Sequence, residues 1–150
     1  MSDCPLKARL VSDMKQAMRD QKKELLATIR LALAAVKQKE VDERIELTDA
    51  DVISILDKMI KQRRESIKQY EAGNRPDLAA IEAAEIEVLQ EYMPQALTEA
   101  ELEAFIKQAI AETSAQGPQD MGKVMTWLKS KVQGRTDMAQ LSQNIKKLLA

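Results

Sequence analysis

The sequence predicts an all-α fold: a four-helix N-terminal domain over residues 1–93 and a small three-helix bundle over 94–150. Three observations carry this reading. Apolar residues recur every three to four positions along most of the chain, which is the spacing of one helix face. Glycine and proline are scarce, four of each in 150 residues, and nearly all sit at the ends of the periodic stretches. Aromatic residues make up only 3%, so the cores must be filled by Leu, Ile, Val, Met and Ala. That palette, with so little Gly and Pro, favours helix over strand.

The first helix runs from Pro5 to Asp20 with Leu6, Leu10, Met14, Ala17 and Met18 inward. Pro5 suits a first helical position, where its missing N–H is not needed. The second, from about Lys22 to Arg44, has Leu25, Leu26, Ile29, Leu33 and Val36 as its buried stripe, and its charged far end faces water. Thr48 and Asp51 make a capping-box start for a third helix, about Asp49 to Ala72, carrying Val52, Leu56, Met59, Ile60, Ile67 and Tyr70. Gly73 is its natural C′ residue and Asn74-Arg75-Pro76 the turn. The fourth helix, Asp77 to Tyr92, uses Leu78, Ile81, Val88 and Leu89, and the short connection makes it the antiparallel neighbour of the third.

Arg63 falls inside the apolar stripe of the third helix, and an unpaired charge there would be very costly. Glu82 or Glu85 on the fourth helix would supply the partner. The basic cluster around Lys61, Arg64 and Lys68 is interleaved with Asp57, Glu65 and Glu71, so it reads as a self-compensated solvated face.

Pro94 marks the domain boundary, because it pushes Met93 out of helical conformation. Thr98 and Glu101 then form a second capping box. The fifth helix follows with Leu102, Phe105, Ile106, Ala109 and Ile110, ending before Gly117-Pro118. The sixth spans about Met121 to Val132 and stops at Gly134; Thr136 or Asp137 caps the seventh, which turns Met138, Leu141, Ile145, Leu148 and Leu149 inward.

What the chain lacks narrows its chemistry. There is no histidine, which removes the commonest general acid–base, the commonest metal ligand and every Ser–His or Cys–His arrangement. Cys4 is alone and expected in a frayed terminus, as a spectator. No phosphate-binding glycine loop appears. The series Glu82, Glu85, Glu87, Glu91 has no histidine to complete a di-metal bundle site. The expectation is therefore no catalytic residue, no cofactor and no metal. No apolar run approaches the roughly 20 residues of a membrane span, and no secretory signal opens the chain. The expected location is the cytoplasm, with a monomer as default.

Net charge is −1, yet residues 120–150 hold six basic and two acidic side chains. On the sixth helix Met121, Val124, Met125, Leu128 and Val132 share the inward arc, while Lys123, Trp127 and Lys131 follow one another along the flank, with Arg135 just beyond. Cations alternating with an indole suit RNA, because phosphates meet ammonium groups and an exposed base can stack on the ring. The competing reading is structural: Trp127 closes the edge of a core with lysine stems packed beside it. At the start of the same helix Gly122 permits close approach, but an N-cap Asp120 would already occupy the positive end.

The run KQRRESIKQYEAGNRPDLAAIEAAEIEVLQEYMPQALTEAEL, then DMGKVM, then GRTD before the last helix, resembles the YqeY-like family across essentially the whole chain. The C-terminal half is similar to the tail domain of the B subunit of glutamyl-/aspartyl-tRNA amidotransferase. That domain contacts tRNA and does no chemistry, so the resemblance implies a non-catalytic, tRNA-binding or tRNA-associated role through Lys123, Trp127, Lys131 and Arg135. Two alternatives are an accessory component of a glutamine-dependent tRNA amidotransferase, by family association, and a protein-interaction module. The sequence departs from the family pattern at Thr126 (glycine expected), at Lys129-Ser130 (Met-Pro expected) and at Met138 (glycine expected).

Overall fold

A computed structural model describes residues 4–149, apart from the side chain of Ser130. It contains seven α-helices and, among the described residues, no strand: α1 (Pro5–Arg19), α2 (Lys23–Glu43), α3 (Asp49–Ala72), α4 (Pro76–Gln90), α5 (Glu99–Thr113), α6 (Met121–Val132) and α7 (Met138–Leu149). A 3-10 turn, Pro118–Asp120, leads into α6. The chain divides into two compact units, one ending at Met93 and the other beginning at Pro94.

Local chemistry sets the helix ends. Pro5 opens α1 and Pro76 opens α4, each where a missing N–H costs nothing. Thr48 and Asp51 form the reciprocal capping box of α3, and Thr98 and Glu101 that of α5. Three helix exits share one device. Gln21, Asn74 and Ser114 take positive φ, and the next residue's N–H reaches five back, Lys22 to Ala17, Arg75 to Tyr70 and Ala115 to Ile110. These are Schellman motifs. At the end of α3 the left-handed residue is Asn74 rather than Gly73, whose φ is −85°. Asparagine tolerates that conformation because its short amide offsets the steric cost locally.

The N-terminal core joins Leu10, Ile29, Ala32, Val36, Val52, Leu56, Met59, Ile60, Ile86, Leu89 and Tyr92. α3 and α4 are its most extensively packed pair. Arg63 lies between them, its Nε donating to Glu85 Oε2 at 2.7 Å with Glu82 Oε2 at 4.0 Å, and its Nη1 donating to the Met59 carbonyl at 3.3 Å. The side chain is 14% exposed, so the expected ion pair forms where desolvation would otherwise penalise the cation. Outside it, Lys61 pairs with Asp57 at 3.1 Å.

Four expectations are corrected. Met18 is 50% and Ile81 57% exposed. Met18 sits about 80° around α1 from Leu10, and α4 is apolar on several sides, so its inward arc settles on Ala79, Ile86 and Leu89 instead. Leu148 is likewise 39% exposed. Cys4 is fully buried rather than frayed. Its Sγ donates to Asp49 Oδ1 at 3.2 Å, and the same oxygen accepts the Leu6 N–H at 3.0 Å, so the first turn of α3 caps the start of α1. Burial pushes the Cys4 thiol up, away from the reactive thiolate.

The Thr48 N–H, donating to Asp51, holds that carboxyl below its ordinary 3.8. A folded value below the unfolded one means the contribution is complete at neutral pH and is lost as pH falls through the folded value. Asp51→Ala should therefore cost about 1 kcal/mol at pH 7, and the gap to the parent protein should narrow as pH falls below the carboxyl's ordinary 3.8, as read by urea unfolding with circular dichroism.

Candidate nucleic-acid interface

The core of the C-terminal unit is made by Leu102, Ile106 and Ala109 of α5, Val124, Leu128 and Val132 of α6, and Leu141, Ile145 and Leu149 of α7. Met121 and Met125 pack against it. With that arc turned inward, helical geometry leaves Lys123, Trp127 and Lys131 on the flank, one turn apart. Lys123 and Lys131 are exposed; Trp127 is half-buried, its indole resting on the core's edge.

The structure gives each flank residue a neighbour. Lys131 Nζ stands 3.9 Å from the Trp127 ring centroid, a cation–π contact that covers the ring. Lys123 Nζ lies 3.7 Å from Asp120 Oδ1 and stays well exposed. Arg135 is tied down more firmly: its Nε donates to the Gln95 carbonyl at 2.9 Å, and its own carbonyl accepts the Leu97 N–H at 2.8 Å. Lys123, Trp127 and Lys131 thus share one exposed helix flank, whereas Arg135 clasps the segment leading into α5.

That clasp depends on a type II turn. Gln133 has φ −58° and ψ 130°, Gly134 has φ 77°, and the Arg135 N–H closes the turn onto the Val132 carbonyl at 2.9 Å. Asp137 then caps α7, its Oδ1 accepting the Ala139 N–H at 3.0 Å. The GRTD run is therefore a turn, a clasp and a cap in succession.

Asp120 departs from the expected cap. Its carboxylate makes no cap bond to α6; Oδ2 accepts the Gln116 N–H at 2.9 Å instead, because the 3-10 turn points it back along the chain. Gly122 faces open space, with nothing within 4 Å of where a Cβ would be. Thr126 Oγ1 donates to the Gly122 carbonyl at 2.8 Å, so its hydroxyl is satisfied within its own helix. Together Thr113, Gly122, Lys123, Thr126 and Trp127 line a shallow, open groove beside the indole. The Ser130 side chain lies outside the described residues.

One cluster escaped the sequence reading. The Tyr92 hydroxyl donates to Asp13 Oδ2 at 2.5 Å, and the Arg9 guanidinium stands 4.5 Å from the centroid of the same ring. Burial first, then Asp13, pushes the phenol well above its usual range. The contact spans 79 residues of sequence, and no local pattern announces it. Its role is to pin the end of α4 to α1.

A family model described as Yqey-like protein matches residues 7–149. The chain belongs to the YqeY-like family. Among its relatives is the Pyrenophora tritici-repentis protein named altered inheritance of mitochondria protein 41, mitochondrial, 32% identical over 94% of this chain and 79% of that one. Proteins of the same name from Lachancea thermotolerans (29% identical; 92% and 78% covered) and Kluyveromyces lactis (34%; 78% and 68%) also match. These mitochondrial names overturn the expectation of a cytoplasmic location. That expectation rested on the want of a membrane span and a secretory signal, and neither feature separates cytosol from an organelle's interior. No helix among the described residues is long and apolar enough to cross a membrane.

Gly134→Ala should destabilise the C-terminal unit by about 1–2 kcal/mol, since a Cβ at positive φ meets the following carbonyl. Thermal unfolding followed at the single tryptophan would show the drop, and Gly134→Asn should recover part of it.

Proposed function

We propose that this family member is a non-catalytic tRNA-binding or tRNA-associated protein whose C-terminal unit contacts RNA through Lys123, Trp127 and Lys131. The observation that carries the proposal is the placement of two exposed lysines one turn either side of the only tryptophan, whose half-buried indole sits at the edge of the three-helix core. A phosphate would draw Lys131 off the indole and leave the ring open to an unpaired base, so the cation–π contact is the resting form of the site. Arg135, through its clasp on Gln95 and Leu97, holds the α6–α7 connection in place and orients the flank. The local excess of positive charge in residues 120–150 favours a polyanion over an apolar partner. The similarity to an amidotransferase tail domain that contacts tRNA supports the same reading.

Titration of the full chain with tRNA, a mitochondrial transcript included, tests it through Trp127 fluorescence. Binding should quench the indole and weaken roughly 7- to 12-fold between about 50 and 200 mM salt if the two lysines meet phosphates. Lys123→Glu combined with Lys131→Glu should weaken binding by more than about tenfold while circular dichroism stays unchanged. Absence of saturable binding at the lower salt would end the proposal.

A further inference from the structure

α2 carries more apolar surface than the N-terminal core consumes. Its inner side gives Ile29, Ala32 and Val36 to that core, with Leu25 and Leu33 packed against it. On the opposite side Ala27, Leu31, Ala34, Gln38 and Val41 stand at alternating intervals of four and three residues, and all are exposed. Leu31 is 48% and Val41 59% exposed; Ile45, just past the helix end, is 47% exposed. Alternation of four and three is the seam of a two-helix contact, since it keeps one narrow stripe facing a partner. Four of the five seam residues are apolar, Leu31 and Val41 large and Ala27 and Ala34 small, and the alanines let a neighbouring backbone come close.

One border of this seam is a line of cations. Lys23, Arg30, Lys37 and Arg44 recur every seven residues along it, all exposed, and none pairs with a carboxylate among the described residues. On the other border Asp42 is already engaged by Gln38, which donates to it at 2.8 Å. α2 is 21 residues long, so seam and cation line extend about 30 Å.

We propose that the outer face of α2 docks an amphipathic helix of a partner protein, one with carboxylates along the edge that meets Lys23, Arg30, Lys37 and Arg44. The seam spacing calls for a helix, and the cation line calls for an acidic one. An antiparallel second copy would set the cation line against its own image. RNA gains nothing from Leu31 and Val41, and a membrane surface would have to accept Gln38 in the middle of the stripe and cations on one border alone. The proposal stands on the N-terminal unit and is independent of RNA binding by α6.

The test uses the full chain and a fluorescent four-heptad helical peptide with a Leu/Ala seam, made once with Glu and once with Lys along its edges. Anisotropy at low salt should show the Glu peptide binding at least about tenfold more tightly than the Lys peptide. Leu31→Glu should abolish binding, and Arg30→Glu with Lys37→Glu should reverse the peptide preference; all three side chains are exposed, so the fold should persist by circular dichroism. Equal affinity for the two peptides, or indifference to Leu31→Glu, would overturn the proposal. So would a dimer in sedimentation that Leu31→Glu dissolves, binding to phosphatidylcholine–phosphatidylglycerol vesicles lost in that variant, or tRNA affinity lost in the Arg30→Glu, Lys37→Glu variant; these assign the face to a second copy, a lipid surface or RNA respectively.

Discussion

A helix in a small bundle can hide one stripe, and whatever else it carries must face outward. With so few aromatic side chains, each core here is assembled from aliphatics contributing about 1.5–3 kcal/mol apiece when fully buried. Register is therefore fixed by many modest contributions that all have to point the same way. In α6, Val124, Leu128 and Val132 take the inward arc and leave the lysines and the indole outside. In α2, Ile29, Ala32 and Val36 do the same and leave Leu31 and Val41 in water. α3 shows the constraint from the other side: Arg63 falls within the stripe and is accommodated because Glu85 meets it.

The readable part of the fold is the part set by near neighbours in sequence. Capping boxes at Thr48 and Thr98 are complete within four residues, and proline at the start of α1 and α4 acts through its fixed φ and the N–H it lacks. The Arg63 pair was also legible, because period and charge together demand a carboxylate on the adjoining helix. What escaped is what reaches across the chain. The Tyr92–Asp13 bond, the Asp49 cap on α1 and the Arg135 clasp on Gln95 join residues 79, 43 and 40 positions apart, and periodicity carries no trace of such pairings. Met18 and Ile81 were misassigned for a related reason: their helices offer apolar residues on a broader arc than the neighbours can cover.

The candidate site divides along the same line. Residue types and the one-turn spacing of Lys123, Trp127 and Lys131 come straight from helical geometry. Their present engagements do not: Lys131 over the indole, Lys123 beside Asp120, and an aspartate that turns back to Gln116 instead of capping its helix. Each depends on rotamers and on the 3-10 turn before α6. Family membership now rests on a match over nearly the whole chain, and it brings relatives whose names point to mitochondria. Composition alone could not have distinguished one aqueous compartment from another.

Cys4 gives the molecule a built-in reporter. It is the single thiol in the sequence, fully buried, and hydrogen-bonded to the carboxylate that also caps α1. A modifying reagent reaches it when the segment around Cys4 opens away from Asp49. The rate at which the native protein loses its free thiol therefore measures a local opening reaction, on a scale set by how often this N-terminal contact breaks rather than by global unfolding.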